Sequence, residues 1–417
     1  MEADLLVTGI ADLCTMGRGP GAQAGLHQAY AGSIADGALA VRGGKVLAVG
    51  PRTEVEAIVD RAARTLDTEG ATVLPGWVDA HTHLLFAATR EDEFAQRIAG
   101  RSYQEIAAAG GGIHSSVARF REASDEAILA RARRNLDEAL GLGTTTIEIK
   151  SGYGLSTDQE LRALGLIQTL AASHPIRVAA TFLGAHEIPR DRDRADYLAE
   201  VTGTMIPRVA AEGLAEFCDV FCEEGVYTPD ESRAVLTAAR EHGLKLKIHA
   251  DEFGDTGGSR LAAELGTVSA DHLHGTPSGV AARLAEAGVV GVLLPGTSFF
   301  LNLESKAEAR AMIEGGLPLA VATDFNPGSN MSQSMPMMVS LACIQLRMQP
   351  EEALVAATAN GAAALGRADR FGRLVPGAAA DFQIVDLPNH RLIPYHYGVS
   401  RVREVYIAGE RRFPAPR

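Results

Sequence analysis

Residues 73–86 read Val-Leu-Pro-Gly-Trp-Val-Asp-Ala-His-Thr-His-Leu-Leu-Phe, and the fold turns on this stretch. An apolar run ends in Asp79, His81 and His83. Residues two apart on a strand share a face and stand about 6.6 Å apart along the chain. Two imidazoles at that spacing can reach one metal ion through bonds of about 2.0–2.1 Å. Taken alone, the motif also fits two satisfied core histidines, so the rest of the chain has to choose.

Towards the C-terminus, seven more short apolar runs follow, at 145–149, 178–183, 219–222, 245–249, 268–272, 289–294 and 319–323. Between them lie stretches of helical periodicity, notably 126–140, 158–173 and 229–242. Short apolar runs alternating with amphipathic helices indicate repeated β–α units and a parallel sheet. The third helix is well marked. Thr228 can act as N-cap, Pro229 takes the first helical position, Glu231 completes a capping box and Gly243 can end the helix. Eight such alternations over roughly 250–300 residues match a closed (β/α)₈ barrel. A doubly wound open sheet is the competing architecture, and no glycine fingerprint follows the first strand to support it. The expected class is α/β, with a barrel.

Towards the N-terminus the pattern is different. Residues 4–8, 37–42, 45–50 and 64–68 read as short strands, and 38–49 as a hairpin turning through Arg42-Gly43-Gly44. Short strands return after Gly366, at 381–385 and 402–408. The two ends are expected to form one composite β-rich domain, 1–74 with 367–417, beside a barrel of 75–366.

Composition narrows the function. Of 417 residues 46% are hydrophobic and 22% charged, an ordinary globular balance. The net charge of −13 argues against a nucleic-acid partner, which needs a Lys/Arg surplus, although a local basic pocket for a small anionic substrate is compatible with it. Cys14, Cys218, Cys222 and Cys343 are too few and too scattered for a disulfide framework. The first residues show no secretory pattern, and no run of about 18 apolar residues suggests a membrane span. A cytoplasmic protein is expected.

Three further strand ends resolve the histidine question. Strand five ends in His249-Ala-Asp-Glu252, strand six in Asp271-His272-Leu-His274, and strand eight in Thr323-Asp324. Ionisable groups are costly to bury without partners, so packing alone does not explain their recurrence at four strand ends. A shared metal does. His81, His83, His249 and Asp324 offer a nitrogen and oxygen donor set suited to Zn²⁺ or Fe²⁺.

Residues 75–83 (PGWVDAHTH), 248–253 (IHADEF), 269–275 (SADHLHG) and 322–329 (ATDFNPGS) together resemble the amidohydrolase superfamily of metal-dependent hydrolases. The stretch Gly377-Ala-Ala-Ala-Asp381-Phe382 is similar to that superfamily's small β-domain. Finer motifs resemble its imidazolonepropionase branch. These are Glu93-Phe94 with Arg97, Gly100-Arg-Ser-Tyr103, Ala108-Ala-Gly-Gly-Gly112, Glu148-Ile-Lys-Ser-Gly-Tyr153-Gly-Leu, Phe182-Leu-Gly-Ala-His186 and Phe325-Asn326-Pro-Gly328-Ser329. The resemblance implies hydrolytic opening of the ring of 4-imidazolone-5-propanoate to N-formimidoyl-L-glutamate in histidine degradation. It implies one Zn or Fe ion per subunit, a small-molecule substrate and a homodimer.

Carried over position by position, the resemblance implies metal ligands His81, His83, His249 and Asp324. It implies substrate contacts at Arg90, Tyr153, His186, Glu252, Asn326, Gly328 and Ser329. Arg90 would pair its planar fork with the propionate, which a lysine would do less specifically; a plain surface arginine is the alternative. Tyr153 stands between glycines, a sign of backbone held close to a ligand, or covers the core edge. His186 is a pocket wall or a turn cap before Pro189, and Tyr103 a second wall or helix packing. Lys150 is read as a support and not a ligand. The proton donor is one of Glu252, His272 and Asp324, with His272 polarising the ring carbonyl. Asp324 is expected to use one oxygen for the metal and the other for the attacking water. Other ring-directed enzymes, such as cytosine or guanine deaminases, are the rival reading, and a metal-free scaffold on the same fold is a third.

Overall fold

The structure, a computed structural model, describes residues 1–101, 105–106 and 110–415. Tyr103 and Ala108, singled out above, lie outside the described residues. The chain starts with β1 (Glu2–Cys14), β2 (Ser33–Arg42), β3 (Lys45–Pro51), β4 (Arg61–Asp67) and β5 (Thr72–Pro75). The expected hairpin joins β2 to β3 through Gly43 and Gly44, both with positive φ (57° and 73°), as a tight turn between twisted strands requires. β1 pairs antiparallel with β2 and parallel with β4 and β5. Its alternating burial turns Ala3, Leu5 and Val7 inward, the period of a strand with one wet face.

The chain then enters β6 (Trp77–Asp79), followed by β7 (Thr144–Lys150), β8 (Arg177–Ala185), β9 (Phe217–Cys222), β10 (Lys245–Ala250), β11 (Ser269–His272), β12 (Val290–Leu293) and β13 (Leu319–Val321). Each pairs parallel with the next in chain order. All eight runs expected from the sequence are strands of this barrel. The Thr228–Glu231 capping box forms on the helix Pro229–Glu241, with Gly243 at φ 82° just past its end. Among the described residues no helix is long and apolar enough to cross a membrane.

The first and last barrel strands are shorter than expected. β6 stops at Asp79 and not at 83, and β13 stops at Val321. The ring closes beyond these ends, where Asp324 N–H donates to the His81 carbonyl (2.9 Å) and His83 N–H to the Phe325 carbonyl (3.0 Å). Asp79 ties the same seam, its carboxylate accepting the Thr323 N–H (2.9 Å) and hydroxyl (2.6 Å). His81, His83 and Asp324 therefore lie on one short closing ladder and not on two long strands.

After the barrel, β14 (Phe382–Val385), β15 (Val402–Ile407) and β16 (Glu410–Phe413) complete the other sheet. β14 pairs antiparallel with β5, so the two ends of the chain share one sheet. Leu5, Val7, Val73, Phe382, Ile384 and Tyr406 build its own apolar core. The Phe382 and Tyr406 rings stack at 4.4 Å between centroids.

Candidate active site

His81, His83, His249 and Asp324 meet at one mouth of the barrel. The Asp324 carboxylate Oδ1 is 3.6 Å from His81 Nε2 and 3.5 Å from His83 Nε2, and the Nε2 atoms of His83 and His249 are 3.3 Å apart. Bonds of about 2.0–2.1 Å in a tetrahedral set place neighbouring donors about 3.3–3.4 Å apart, close to these separations, and His81, His83 and His249 form a group that could hold a metal ion. Burial holds the imidazoles of His81 and His83 neutral, far below their usual range, which is the form that donates a lone pair. His81 Nε2 is buried with no hydrogen-bond partner among the described residues. A divalent cation answers that deficit.

Two of the three rings are aimed from behind. Asp271 Oδ2 takes the His81 Nδ1–H at 2.6 Å, and Asp219 Oδ2 stands 3.0 Å from His249 Nδ1. These carboxylates fix the tautomer and turn Nε2 towards the mouth. Lys150 sits beneath them, its ammonium 2.7 Å from Asp219, 2.9 Å from Glu148 and 3.7 Å from Asp271. Burial opposes its charge, but Asp219, Glu148 and Asp271 hold it protonated above the ordinary lysine range. Asp219 could have been found in the sequence, as an ionisable residue inside the apolar run Phe217–Cys222. An ionisable residue in an apolar run is the same kind of signal that marks the histidines.

The second Asp324 oxygen, expected to face the water, accepts the Thr297 hydroxyl at 2.6 Å. Nothing in the sequence marks Thr297. Burial raises the Asp324 carboxyl to about 6. Glu252 lies across the site, with Oε2 3.6 Å from His272 Nε2. Burial first, and then the nearby Asp324 and Glu223, push its carboxyl well above the usual range, which favours its protonated form. Glu223 also fastens its loop, accepting the N–H of Glu252 (2.8 Å) and Phe253 (3.1 Å). His272 is neutral through burial, and both its ring nitrogens are buried without a hydrogen-bond partner among the described residues.

Asp251, His272, Leu273 and Asp324 all have positive φ, at 55°, 76°, 62° and 53°. Such conformations cost non-glycine residues about 1–3 kcal/mol each and persist where the surroundings enforce them. Four of them crowd the ends of β10, β11 and β13.

The remaining expected residues line the same mouth. His186 stacks on His83 (centroids 4.9 Å apart, planes at 18°), and Tyr153 stands 5.7 Å from His186. His186 Nδ1 donates to the Gly152 carbonyl at 3.0 Å, which leaves Nε2 as an acceptor. Burial keeps this ring neutral, its value pushed down to about 3. The glycines around Tyr153 serve a different purpose from the one expected. A Cβ on Gly152 would lie 2.7 Å from His186 Nδ1, and one on Gly154 2.6 Å from the backbone at Gln159. They admit the protein's own chain, and the Glu160 carboxylate then clamps the loop through the N–H groups of Gly152, Gly154 and Leu155.

Arg90 donates from Nη2 to Glu93 at 2.5 Å and lies over Gly328, where a Cβ would come 2.4 Å from Nη1. Its Nε is buried without a hydrogen-bond partner among the described residues. Asn326 uses its whole amide within the loop. Nδ2 donates to the Asp324 carbonyl and Ser329 Oγ (both 2.7 Å), while Oδ1 accepts from the N–H of Gly328 and Ser329 (both 2.8 Å). Asn326 thereby shapes the turn that presents Gly328 and Ser329.

The sequence pattern of the amidohydrolase family matches residues 72–412. The imidazolonepropionase of Geobacillus kaustophilus is 47% identical over 384 residues, covering 91% of this chain and 90% of that one. That of Symbiobacterium thermophilum is 47% identical over 411 residues, 97% of this chain and 96% of its own. Among solved structures, a zinc-bound adenosine deaminase from Xanthomonas campestris superposes with a TM-score of 0.72 over 99% of this chain and 93% of its own, at 21% identity. That likeness bears on the fold alone.

Proposed function

The chain belongs to the amidohydrolase family, and on that premise we propose that it hydrolyses 4-imidazolone-5-propanoate to N-formimidoyl-L-glutamate, a step of histidine degradation. Relatives named imidazolonepropionase at 47% identity over nearly the whole chain support the substrate. The observation that carries the chemistry is one mouth where His81, His83 and His249 face one another beside the Asp324 carboxylate, with Glu252, whose carboxyl burial raises, across the site.

His81, His83, His249 and Asp324 would hold one zinc or iron ion per chain. Bound there, the ion supplies Lewis acidity, which draws the ionisation of water towards neutral pH. Asp271, Asp219 and Thr297 keep the donor atoms turned inward. Arg90, backed by Glu93, offers its remaining donors to the propionate arm. Tyr153 and His186 form a wall beside the ring, and Gly328 and Ser329 close the opposite side. His272, whose ring nitrogens make no hydrogen bond among the described residues, donates to the ring carbonyl oxygen as that oxygen gains negative charge. Water oxygen bonds to the carbonyl carbon, the adjacent ring C–N bond breaks, and the leaving nitrogen takes the proton of Glu252. Glu252 recovers a proton from the water. The reading includes a homodimer, supported by exposed Ile344, Tyr395, Tyr397 and Val399 on and after two packed helices.

The decisive assay follows loss of 4-imidazolone-5-propanoate with N-formimidoylglutamate as product. Stoichiometric product without ammonia is expected. Ammonia release from a purine or pyrimidine, with no imidazolone turnover, would replace this reading by a deaminase.

A further inference from the structure

A second buried cluster of metal-capable side chains lies outside the barrel. Asp12 and Cys14 are on β1, and His390 follows β14 in the segment leading to the helix Leu392–Tyr395. One donor atom from each can be chosen so that all three lie within 4.8 Å of one another. Cys14 Sγ is 3.6 Å from Asp12 Oδ1, and His390 Nδ1 is 2.6 Å from Asp12 Oδ2. We propose that Asp12, Cys14 and His390 form a second cation site, selective for a borderline-soft divalent ion such as zinc.

The distances suit that ion. Bonds of about 2.3 Å to a thiolate and 2.0 Å to a carboxylate set sulfur and oxygen about 3.5 Å apart. The hydrogen-bonded His390–Asp12 contact opens slightly when the ion replaces the proton between them. Two protons leave, that one and the Cys14 thiol proton. The thiolate and the Asp12 carboxylate then balance the double charge in a place where an unpaired ion would be expensive. Glu351, on the helix Pro350–Ala356, stands 3.3 Å from His390 Nε2, the carboxylate-on-imidazole arrangement that orients a metal-bound histidine. An open cleft of about 620 Å³ lined by Asp12, Ser33, Glu351, His390 and Arg391 gives a route in. Ser33 Oγ, 2.6 Å from Asp12 Oδ1, borders the fourth position. The sulfur separates this site from the barrel mouth, whose donors are nitrogen and oxygen only, and makes it the softer of the two. An ion here would staple β1 to the segment after β14.

The sulfur also makes the test specific. Cobalt(II) added to the metal-stripped full chain should produce a near-ultraviolet thiolate-to-metal charge-transfer band, saturating at one equivalent in a His249→Ala background. Cys14→Ser should abolish the band, and Glu351→Gln should weaken cobalt binding about 10–100-fold. Circular dichroism establishes that each variant is folded. If Cys14→Ser does not fold, His390→Gln serves in its place, with loss of the band at stoichiometric cobalt expected. Absence of a sulfur band at any cobalt excess would overturn the site, as would a band that survives in Cys14→Ser or is unchanged in His390→Gln. The proposal stands or falls separately from the ring-opening activity, which Cys14→Ser leaves intact.

Discussion

Two interiors of this molecule are equally dry and filled in opposite ways. The sheet made by the chain ends is packed with Leu5, Val7, Val73, Phe382 and Ile384, and its stability comes from apolar area withdrawn from water. Beneath the barrel mouth, fully buried strand positions hold Glu148, Lys150, Asp219, Lys247 and Asp271. Lys247 reaches Glu148 at 3.1 Å and Lys150 reaches three carboxylates, so each charge has an opposite neighbour. Hydrocarbons of the same volume would hold such a barrel together as well or better. The charges do what hydrocarbons cannot. They fix which nitrogen of His81 and His249 faces the mouth, and they keep those rings from rotating. The apolar interior specifies a shape, and the charged one specifies an orientation.

The contrast predicts a graded series. The largest effect is expected directly at the mouth. Glu252→Gln should lower kcat about 10²–10⁴-fold, the usual scale for a lost proton donor, while the protein keeps its metal. Because burial raises the Glu252 carboxyl well above its ordinary range, wild-type kcat should fall as pH rises through that raised value. The variant should lack this alkaline limb; a pH profile identical to wild type would pass the donor role to His272 or Asp324.

One layer down, Lys150→Met should cost about 3–5 kcal/mol of stability, since it leaves Asp219 and Asp271 buried without their cation. Denaturant melts give that figure, and chelator competition should show weaker metal retention. If stability drops while metal affinity and kcat stay at wild-type levels, the network is packing alone and the contrast fails.

At the rim, Arg90→Ala should raise KM by the equivalent of about 2–5 kcal/mol, with kcat much less affected, and Arg90→Lys should recover only part. An imidazolone lacking the propionate arm makes the comparison sharp, because the variant should handle it no worse than wild type. The same loss on both substrates would mean that Arg90 supports the loop at Gly328.

The smallest effect belongs to the apolar sheet. Ile384→Val should cost about 0.5–1.5 kcal/mol, read as a lower melting temperature, with kcat and KM unchanged. A change in kcat there would show that the sheet takes part in catalysis.

Much of this was legible in the chain. The eight barrel strands could be read because strands buried on both faces appear as short apolar runs between amphipathic helices, a strictly local pattern. His81, His83, His249 and Asp324 were legible because an ionisable residue ending an apolar run contradicts its surroundings. The closing seam was not, since β6 and β13 end where two distant segments hydrogen-bond each other, at His81 with Asp324 and at His83 with Phe325. The role of the glycines beside Tyr153 was missed for a related reason. A glycine announces a close approach but not which neighbour approaches, and here the neighbours were His186 and Gln159.

By itself, then, the sequence carried the barrel and the four metal-capable residues, which rest on periodicity and residue type along the chain, and the family, which rests on the resemblance of its motifs. Only the tertiary structure decided that Thr297 occupies the second oxygen of Asp324, that Glu93 already grips Arg90 and that Asn326 is used up within its own loop. It alone joined Asp12 to His390 across 378 positions of chain. Hydrogen bonds and ligand sets are three-dimensional coincidences between segments whose separation no local pattern records, and their range of about 3 Å admits no tolerance for an approximate fold.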